Sequence, residues 1–569
     1  MRLLICSLLI ILVIGNDSPS IILIQAEPAE EESLFLKKIH VPQNLTPDKK
    51  SKVILIAVVD DGVRITHRDL KDFIWTNPKE VPDNQIDDDG NGYVDDIHGW
   101  DVSDQDNNVA PPEGRTEFYH GTHVAGIVTQ IVKFAYGESA SDLIKIIPVK
   151  SLSDRTKTTY LKNAYKGIEY ALDSGADIII CSWGIGRITP EESRILQKAE
   201  KKGALIVASA GNLPEERDQY PAAYRSVVAV AALDNQGQKI KNSNFGQFID
   251  LSALGVEIRS ASARSDETYE VREGTSFSTP MVAAAAALIK LQHPTYSNRE
   301  IEACLKSSTE VIEVPARRYS GKLGAGKLNV ESAVRCNLLQ EQPSEQNRLI
   351  NPKGYLYYKG TTKASVSWLL EPEGDFKGIW FRPVFNREEA LRGTIDFYTN
   401  ESSDSRKVVS YSLDSLPEKI YVPGNSAFVY FEPFDSDQKF DWLLEYEAET
   451  INFSTLYCEG TNYRNEEGIL TDGSGPNNYS FNTDCKWLIT APEGKIIHFK
   501  FKEFDTEAKT DWVYFFHGSG THEKIMAMFS GPDIPPELTT WGNQVLLWFV
   551  TNGVQQNKGW QVEYHFQDP

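Results

Sequence analysis

From Val53 to about Asn337, short continuous runs of apolar residues alternate with longer amphipathic or alanine-rich stretches. The runs include VILIAVVD, LIKIIPVK, ADIIICSWG, ALIVASAG and VVAVAAL, and stretches such as YLKNAYKGIEYALDSG and PEESRILQKAEKKG lie between them. Continuous apolar strands separated by helices indicate a parallel sheet that is covered on both faces. We therefore predict one α/β layered domain with a mostly parallel sheet over residues 51–337.

The pattern changes after Cys336, where short alternating runs rich in Tyr, Trp and Phe replace the helical stretches, as in antiparallel β modules. Part of this region repeats. A Gly-Asn pair followed by SAFVYF is matched by a Gly-Asn pair followed by QVLLWF, and each copy continues to a Trp-x-x-Glu-Tyr pattern. The matching residues are Gly424, Asn425, Trp442, Glu445 and Tyr446 in the first copy and Gly542, Asn543, Trp560, Glu563 and Tyr564 in the second. We predict two β-sandwiches, at residues 350–449 and 456–569, with convergent strand composition as the alternative.

The N-terminus has the features of a secretory signal peptide. Arg2 precedes an apolar run from Leu3 to Gly15, and polar residues follow. A charged start with an apolar stretch of this length predicts a signal peptide over residues 1–26 and a secreted, extracellular protein. A membrane anchor is the alternative, although the run is short for a span. Residues 27–50 are predicted to be a short pro or linker segment, too short for a self-sufficient pro-domain.

Composition and charge exclude several classes of protein. With 41% hydrophobic and 24% charged residues, the chain is ordinary globular protein rather than disordered. Its formal net charge of −22 argues against a nucleic-acid partner, because phosphate binding requires clustered Lys and Arg. No later stretch reaches about 18 apolar residues, so we expect no membrane span in the mature chain.

The cysteines suit an exported protein, in which disulfides are chemically reasonable. Cys458 and Cys485 are close enough in sequence to form a disulfide within one small domain. Cys304 and Cys336 each lie in a helix-like segment, and the sequence leaves open whether they pair. Cys181 is then left over as a buried or reactive thiol.

Four polar residues stand at the boundaries of predicted elements. Asp60 ends a strand in VVDDGV, at the sheet edge where α/β folds place their sites. His120 in HGTHVAG precedes an apolar helical stretch, Asn212 follows a strand in ASAGN, and Ser276 in GTSFSTP precedes a long alanine-rich helix. A serine at a helix N-terminus meets unpaired N–H groups that can stabilise an oxyanion. Singly, each has an ordinary explanation as a cap, turn or loop residue, but their order and spacing together are specific.

These motifs resemble those of the subtilisin-like serine peptidases (subtilases), through the VVDDG aspartate, HGTHVAG, the ASAGN asparagine and GTSFSTP. The resemblance implies a serine endopeptidase with a subtilisin-like domain. By it, Asp60 orients His120, and His120 takes the proton of Ser276 as that hydroxyl attacks the scissile carbonyl to form an acyl-enzyme. It also implies an oxyanion hole formed by the Asn212 side chain and the Ser276 backbone N–H.

Two other histidines and a second aspartate lie near these motifs. The family counterpart of His123 is a packing residue and that of His67 is a turn residue, so the resemblance favours His120 as the base. Asp61 stands where the family usually has Ser or Thr. A second carboxylate at this position is expected to perturb the titration of His120 without removing a member of the triad.

Ser182, Trp183 and Gly184 resemble the family's strand beside the primary specificity pocket, whose backbone pairs with an extended substrate. Trp183 is equally open to interpretation as a core residue. No acidic residue is assigned to the pocket floor, so the sequence predicts no preference for basic substrates.

An acidic loop, IDDDGNGYVDDIHGW, lies between the first two motifs. Four oxygen-bearing residues fall at positions 1, 3, 5 and 9 of an EF-hand-like loop: Asp87, Asp89, Asn91 and Asp95. Gly92 takes the turn position 6, but position 12 is His98 rather than the bidentate Glu. Hard oxygen ligands at this alternation suit Ca²⁺, so we predict a structural calcium site, with a solvated acidic turn as the alternative.

The C-terminal unit from Cys458 to Phe566 resembles a CUB domain, through the Cys458/Cys485 pair, CKWLI, FKFKEFDTE, DWVYFFHG, LLWFVTN and GWQVEY. By the repeat, residues 350–449 are a diverged CUB-like copy without cysteine. The resemblance implies modules that bind protein or glycan ligands and direct the peptidase to its protein or peptide substrates.

Two other functions compete with an active secreted endopeptidase. One is a binding or adhesion protein whose peptidase domain is structural. Full retention of Asp60, His120, Asn212 and Ser276 argues against it, because an inactive domain has no need of all four. The other is an esterase, for which the G-x-S-x-G elbow is missing.

Overall fold

The computed structural model describes residues 34–157, 159–161, 163–312, 319, 321–336, 347–360, 365–372, 374, 376–384, 393–399, 407–434, 440–450, 462–475, 477–480, 483–508, 510–520, 524–551 and 556–568. The predicted signal peptide and Cys458 lie outside the described residues. Among the helices within them, none has the length and apolar character needed to cross a bilayer.

Among the described residues of the first half, seven strands form the main sheet: β1 (Ile54–Asp60), β2 (Trp100–Asp101), β3 (Ile144–Lys150), β4 (Ile178–Cys181), β5 (Leu205–Ser209), β6 (Val227–Leu233) and β7 (Leu251–Leu254). They form one sheet in the order β2-β3-β1-β4-β5-β6-β7, and every neighbouring pair is parallel. A separate antiparallel hairpin consists of β8 (Ile258–Ala261) and β9 (Tyr269–Arg272). The predicted layered α/β domain with a parallel sheet is thereby confirmed.

The helices of this half are α1 (Leu34–Lys38), α2 (His120–Tyr136), α3 (Ala140–Leu143), α4 (Ala164–Asp173), α5 (Pro190–Lys202), α6 (Thr275–Gln292), α7 (Asn298–Ser307) and α8 (Val330–Val334). Helices α2 and α6 contribute to the core on one face of the sheet, and α4 and α5 to the core on the other. Strand β1 has a continuous apolar run because Ile54, Ile56 and Val58 pack in the first core and Ala57 and Val59 in the second.

The segment before β1 packs into the same core as α2 and α6. Phe35, Leu36, Ile39 and Val41 are all buried there. The carbonyl of Ile39 also accepts a hydrogen bond from the N–H of Val330, at 2.9 Å. The described part of the stretch that sequence reasoning treats as a pro or linker segment thus contributes to the core of the α/β domain.

The second half contains two β-sandwiches. The strands of the first are β10 (Asn347–Leu349), β11 (Lys353–Gly360), β12 (Val366–Leu370), β13 (Phe376–Pro383), β14 (Gly393–Thr399), β15 (Lys407–Ser412), β16 (Ile420–Pro423), β17 (Ala427–Pro433) and β18 (Phe440–Thr450). The strands of the second are β19 (Asn462–Tyr463), β20 (Glu467–Thr471), β21 (Asp484–Thr490), β22 (Ile496–Asp505), β23 (Trp512–His517), β24 (Ile525–Phe529), β25 (Leu538–Thr539), β26 (Gln544–Val550) and β27 (Gly559–Gln567).

Both sandwiches have the same strand order. The five-stranded sheets run β10-β12-β17-β14-β15 and β19-β21-β26-β23-β24. The four-stranded sheets run β11-β18-β13-β16 and β20-β27-β22-β25. Each strand of the first sandwich therefore has a counterpart nine strands later, and the repeat predicted from the sequence is a repeat of the fold.

The repeated tryptophans have equivalent places in the two cores. The rings of Trp368 and Trp442 meet edge to face with centroids 5.5 Å apart. Those of Trp487 and Trp560 meet in the same manner at 5.2 Å. Such edge-to-face pairs add to the stabilisation that burial of the rings provides.

A glycine and a tyrosine are paired across strands at equivalent places as well. Gly354 pairs with Tyr446 between β11 and β18, and Gly468 pairs with Tyr564 between β20 and β27. A Cβ atom at either glycine would lie 2.7 Å from the tyrosine side chain. Only glycine leaves room for the ring at these two positions.

The first sandwich and the α/β domain form one compact unit, whereas the second sandwich falls in another. Tyr355 on β11 and Leu443 on β18 belong to the same hydrophobic core as α2, α6 and α7. The core of the second sandwich is made of its own residues, such as Phe499 and Leu547.

A buried ammonium group reinforces the contact between α7 and the first sandwich. Lys306 is fully buried, and its Nζ lies 2.7 Å from Asp250 Oδ1, 2.8 Å from Glu302 Oε1 and 3.5 Å from Glu445 Oε1. Burial alone would lower the pKa of Lys306, but the surrounding carboxylates raise it well above the usual value. The ammonium group is therefore charged, and Glu445 of β18 supplies part of its compensation.

The cysteines are now assigned in part. Cys304 and Cys336 form a disulfide, which answers the question that the sequence left open. Cys485 is disulfide-bonded, and its predicted partner Cys458 is outside the described residues. Cys181 is a buried free thiol, and burial raises its pKa well above the usual value, so it stays protonated and unreactive.

Candidate active site

The carboxyl end of the parallel sheet brings Asp60 and His120 together. Asp60 is the last residue of β1 and is 2% exposed, and His120 is the first residue of α2. The Nδ1 atom of His120 lies 2.9 Å from both carboxylate oxygens of Asp60. This contact fixes the ring orientation and leaves Nε2 directed away from the aspartate.

Glycine at 121 allows α2 to begin so close to β1. A Cβ atom on Gly121 would lie 2.5 Å from the carbonyl oxygen of Gly62 and 2.8 Å from the Cβ of Asp60. Gly62 itself has a φ of 123°, a conformation that only glycine adopts without strain. The two glycines of VVDDG and HGTHVAG are therefore required by the approach of the helix to the strand.

Ser276 is the second residue of α6 and is 7% exposed. Its hydroxyl donates a hydrogen bond to the carbonyl of Ser182 at 3.0 Å, and the Ser182 hydroxyl donates to the carbonyl of Ser276 at 2.8 Å. The first amides of α6 point out of the helix end and carry the positive end of its dipole. The serine thus stands where backbone donors can meet developing negative charge.

Asn212 is oriented by a neighbour that sequence reasoning missed. Its Oδ1 accepts hydrogen bonds from the backbone N–H of Thr275 at 2.9 Å and from the Thr275 hydroxyl at 3.0 Å. Since two donors engage the oxygen, the amide nitrogen is left to donate elsewhere. Gly274, with a φ of 132°, fits against the same side chain, where a Cβ would lie 3.2 Å from Oδ1.

The charges around His120 set its titration. Burial disfavours the imidazolium, but the charge of Asp60 and its hydrogen bond outweigh that effect and raise the pKa of His120. His123, by contrast, is buried, and burial lowers its pKa to about 4. Its Nε2 lies 3.1 Å from the carbonyl oxygens of Ile258 and Glu270. His123 is therefore a packed neutral group, and His120 is the histidine in contact with the carboxylate.

Asp61 is engaged with the backbone rather than with the imidazole ring. Its carboxylate accepts hydrogen bonds from the N–H groups of Tyr119, His120 and Gly121. Asp60 is thus the carboxylate that contacts Nδ1, and Asp61 contacts the start of the helix.

Ser182, Trp183 and Gly184 follow β4 and line a cleft of about 210 Å³ whose lining also includes Asp60 and His120. The indole N–H of Trp183 donates to the carbonyl of Val59 at 2.9 Å, which ties this segment to β1. Trp183 also packs partly against the core beneath it, and its place beside the specificity pocket stays a prediction.

The acidic loop forms a cluster, with one member that the sequence did not point to. Carboxylate oxygens of Glu80, Asp87 and Asp89 lie within 4.8 Å of one another. Both oxygens of Asp95 instead accept backbone N–H groups, from Asn84 at 3.2 Å and Gln85 at 2.8 Å. Three hard oxygen donors at this spacing fit Ca²⁺. Glu80 precedes the EF-hand-like pattern, so its participation has no signal in that spacing.

Two parts of the sequence match the models of known protein families. Residues 51–335, half of the chain, match the model of the subtilase family. The chain belongs to the subtilase family. Residues 458–564 match the model of the CUB domain, so the second sandwich is a CUB domain.

Several curated proteases are similar to this subtilase. Thermitase of Thermoactinomyces vulgaris is 31% identical over 49% of this chain and 88% of thermitase. The thermostable alkaline protease of Halalkalibacterium halodurans is 33% identical over 37% of this chain and 57% of that protein. Halolysin of Haloferax mediterranei is 32% identical over 52% of this chain and 53% of halolysin. The subtilase therefore spans little more than half the length of the latter two relatives.

Proposed function

We propose that this subtilase is a secreted serine endopeptidase that hydrolyses peptide bonds through an acyl-enzyme on Ser276. Asp60 and His120 complete its triad, and Asn212 contributes to the oxyanion hole. Membership of the family supports the proposal. The observation that carries it is the contact of His120 Nδ1 with both oxygens of Asp60, at 2.9 Å, at the end of β1. The Ser276 hydroxyl is hydrogen-bonded to Ser182, directly after the neighbouring strand β4.

His120 acts as the base and then as the acid. Its Nδ1–H donates to Asp60, so Nε2 is the unprotonated nitrogen that accepts the serine proton. The charge of Asp60 stabilises the imidazolium that results. His120 then gives this proton to the leaving amine, and it takes a proton from the water that hydrolyses the acyl-enzyme.

Ser276 changes partners during the reaction. In the structure its hydroxyl donates to the carbonyl of Ser182, so attack requires the side chain to turn towards His120. This rotation frees the carbonyl of Ser182 to accept a backbone N–H of the substrate, in the manner of an added strand. Substrate binding and activation of the nucleophile are thereby linked through one carbonyl group.

The oxyanion is held by two kinds of donor. One is the Asn212 amide nitrogen, which is available because Thr275 occupies the oxygen of that side chain. The other is the backbone N–H of Ser276 at the start of α6. Donors fixed in place before the reaction stabilise the developing charge without reorganisation.

Calcium would stabilise the fold rather than react. Glu80, Asp87 and Asp89 are the residues that would hold it, since they offer clustered hard oxygen ligands. The carboxylate of Asp95 instead accepts hydrogen bonds from backbone N–H groups of the loop.

Secretion is supported by the N-terminal pattern and by similarity to a cell wall-associated protease of Bacillus subtilis, which is 34% identical over 48% of this chain. Burial of Phe35 and Ile39 supports retention of the described part of the pro or linker segment in the mature enzyme.

We assign the binding of protein or glycan partners to the CUB domain, because the first sandwich is packed into the peptidase unit.

A serine-directed fluorophosphonate tests the proposal. Incubation with the folded chain is expected to label Ser276, as mapped by peptide mass spectrometry. The label should be absent from Ser276→Ala and from heat-unfolded protein. Ser265→Ala, which changes an exposed serine in the β8–β9 turn, is the matched control and should keep full labelling. A folded, calcium-loaded chain that takes no label at Ser276 would contradict the proposal.

A further inference from the structure

Asp61 makes three hydrogen bonds to the backbone at the start of α2. Its Oδ2 accepts the N–H groups of Tyr119 and His120, each at 2.8 Å, and its Oδ1 accepts the N–H of Gly121 at 2.7 Å. The side chain is 4% exposed. Water therefore does not replace these bonds readily.

These are the amides that a helix leaves without partners at its N-terminus. Such groups are usually satisfied by the residue just before the helix. Within the described residues around α2, Tyr119 occupies that position and makes no side-chain cap, and the first turn contains no acidic residue. The carboxylate of Asp61, reaching across from the end of β1, supplies both the acceptors and the negative charge that the helix dipole favours.

We propose that Asp61 is a positioning residue, which holds His120 against Asp60 by fixing the first turn of α2 through these three amides. The inference rests on the proposed function, since it concerns the base of that reaction. His120 is itself one of the residues whose N–H is held, so the ring has little freedom to move away from Asp60. A serine or threonine at this place has one oxygen rather than two and carries no charge.

The charge state of Asp61 also depends on its surroundings. Burial and the neighbouring charge of Asp60 raise the pKa of Asp61 to about 7, although His120 and the backbone hydrogen bonds oppose this. Conversely, the negative charge of Asp61 contributes to the raised pKa of His120. Within the described residues, the charged or titratable groups around these three residues include Lys150 on β3, Cys181 on β4, Glu117 and Tyr119 before α2, His123 on α2, and Arg272 on β9.

These charges predict that kcat falls as the pH is lowered. As the pH falls through about 7, Asp61 takes up a proton, and one oxygen becomes a donor that no longer accepts an amide hydrogen. His120, whose pKa is raised by the charge of Asp60, also takes up a proton as the pH falls and loses its function as a base. Because each charge favours the other, the two protons bind in separate steps, and the acid limb of kcat is spread over two ionisations.

The test compares Asp61→Asn and Asp61→Ser with the wild-type enzyme in hydrolysis of one peptide substrate from pH 5 to 9. We expect kcat on the plateau to fall about tenfold to a hundredfold, because the base is misplaced, while KM stays within about twofold. The acid limb of each variant should fit one ionisation and lie at lower pH, since His120 loses the stabilisation from a nearby charge. Glu267→Gln, which removes an exposed carboxylate paired with Arg68, should change none of these quantities.

The outcomes separate this inference from the proposed function. If the wild-type chain hydrolyses peptides and a folded Asp61 variant keeps both its plateau kcat and its acid limb, the positioning role is wrong. If the wild-type chain takes no fluorophosphonate at Ser276, the proposed function fails first. If neither variant folds, amide hydrogen exchange of the wild-type enzyme decides: slow exchange of the N–H groups of Tyr119, His120 and Gly121 supports the inference, and fast exchange of these three amides overturns it.

Discussion

The two β-sandwiches share one strand order, the same tryptophan pair and the same glycine–tyrosine pair, yet they are built into the molecule differently. The first contributes Tyr355 and Leu443 to the core of the peptidase domain. The second has a core of its own residues and falls in a separate compact unit. The repeated fold therefore serves two purposes, and only the second copy is left as an independent module.

The difference teaches that fold similarity alone does not assign a role. The first sandwich buries charged and aromatic residues against the peptidase domain, so it stabilises the folded state of that domain. Lys306 illustrates this, since it is paired on one side with Asp250 and Glu302 and on the other with Glu445 of the sandwich. The CUB match covers the second copy, which is the one proposed to bind partners.

Deletion of each sandwich should give the largest difference between them in its effect on folding and peptidase activity. A chain that ends at Thr450 loses the CUB domain and should keep the wild-type unfolding temperature and peptidase activity of its remaining unit. A chain that ends at Cys336 also loses the first sandwich, exposes the apolar surface around α7 and leaves Lys306 without Glu445. We expect it to be insoluble or inactive, as measured by yield of folded protein and fluorophosphonate labelling. A soluble, fully active chain ending at Cys336 would break the comparison.

Removal of the buried ammonium group should have the next largest effect. Lys306→Ala removes the cation that Asp250, Glu302 and Glu445 share, and loss of one partner from a buried ion pair typically costs about 3–5 kcal/mol. Arg299 still pairs with Glu302 and Arg382 with Glu445, so we expect the lower end of this range. The free energy of unfolding of the peptidase unit is measured by denaturant titration. Lys198→Ala, which removes more exposed ion pairs with Glu169 and Asp173, should cost less than about 1 kcal/mol. Equal effects of the two substitutions would argue against the stabilising role of the buried cluster.

Calcium removal should act on one unit and leave the other unchanged. If Ca²⁺ binds at Glu80, Asp87 and Asp89, a concentration one hundred times its Kd stabilises the peptidase unit by about 2.7 kcal/mol. Chelation should lower the unfolding temperature of that unit, followed by calorimetry, and leave the CUB transition in place. Glu80→Gln should reduce the response to chelator. An identical response in Glu80→Gln and the wild-type chain would show that this cluster is not the site.

Matched glycine substitutions should give the smallest effect. Gly354→Ala and Gly468→Ala place the same Cβ against Tyr446 and Tyr564, and such overpacking costs about 1–3 kcal/mol. Calorimetry should show that Gly354→Ala lowers the transition of the peptidase unit, while Gly468→Ala lowers only that of the CUB domain. If Gly354→Ala leaves the peptidase transition unchanged, the first sandwich unfolds independently.

The sequence predicted those features that are encoded within one segment. The continuous apolar run of β1 predicted a strand with both faces covered, because each of its apolar residues packs on one side of the sheet or the other. The motifs around Asp60 and His120 predicted two side chains that lie in contact at the sheet edge, and the catalytic role of Ser276 stays a prediction. The repeated Trp-x-x-Glu-Tyr pattern predicted the second copy of the sandwich, since Trp442 and Trp560 occupy the same place in their cores.

Features that depend on distant residues could not be predicted in this way. Tyr355 and Leu443 follow an ordinary strand pattern, and nothing local indicates that they face another domain. Lys306 and Glu445 become partners only through packing of α7 on the first sandwich. Asp61 was visible as a departure from the family pattern, but its three amide partners depend on how α2 meets β1.

Capture of the acyl-enzyme tests the central claim most directly. The folded chain is mixed with a peptide ester, the reaction is stopped with acid within the first turnover, and the protein is digested for mass spectrometry. The account predicts an acyl group on the peptide that contains Ser276, which disappears on longer incubation and is absent from Ser276→Ala. Turnover of the ester by wild-type chain without this adduct, or an equal adduct in Ser276→Ala, would contradict it.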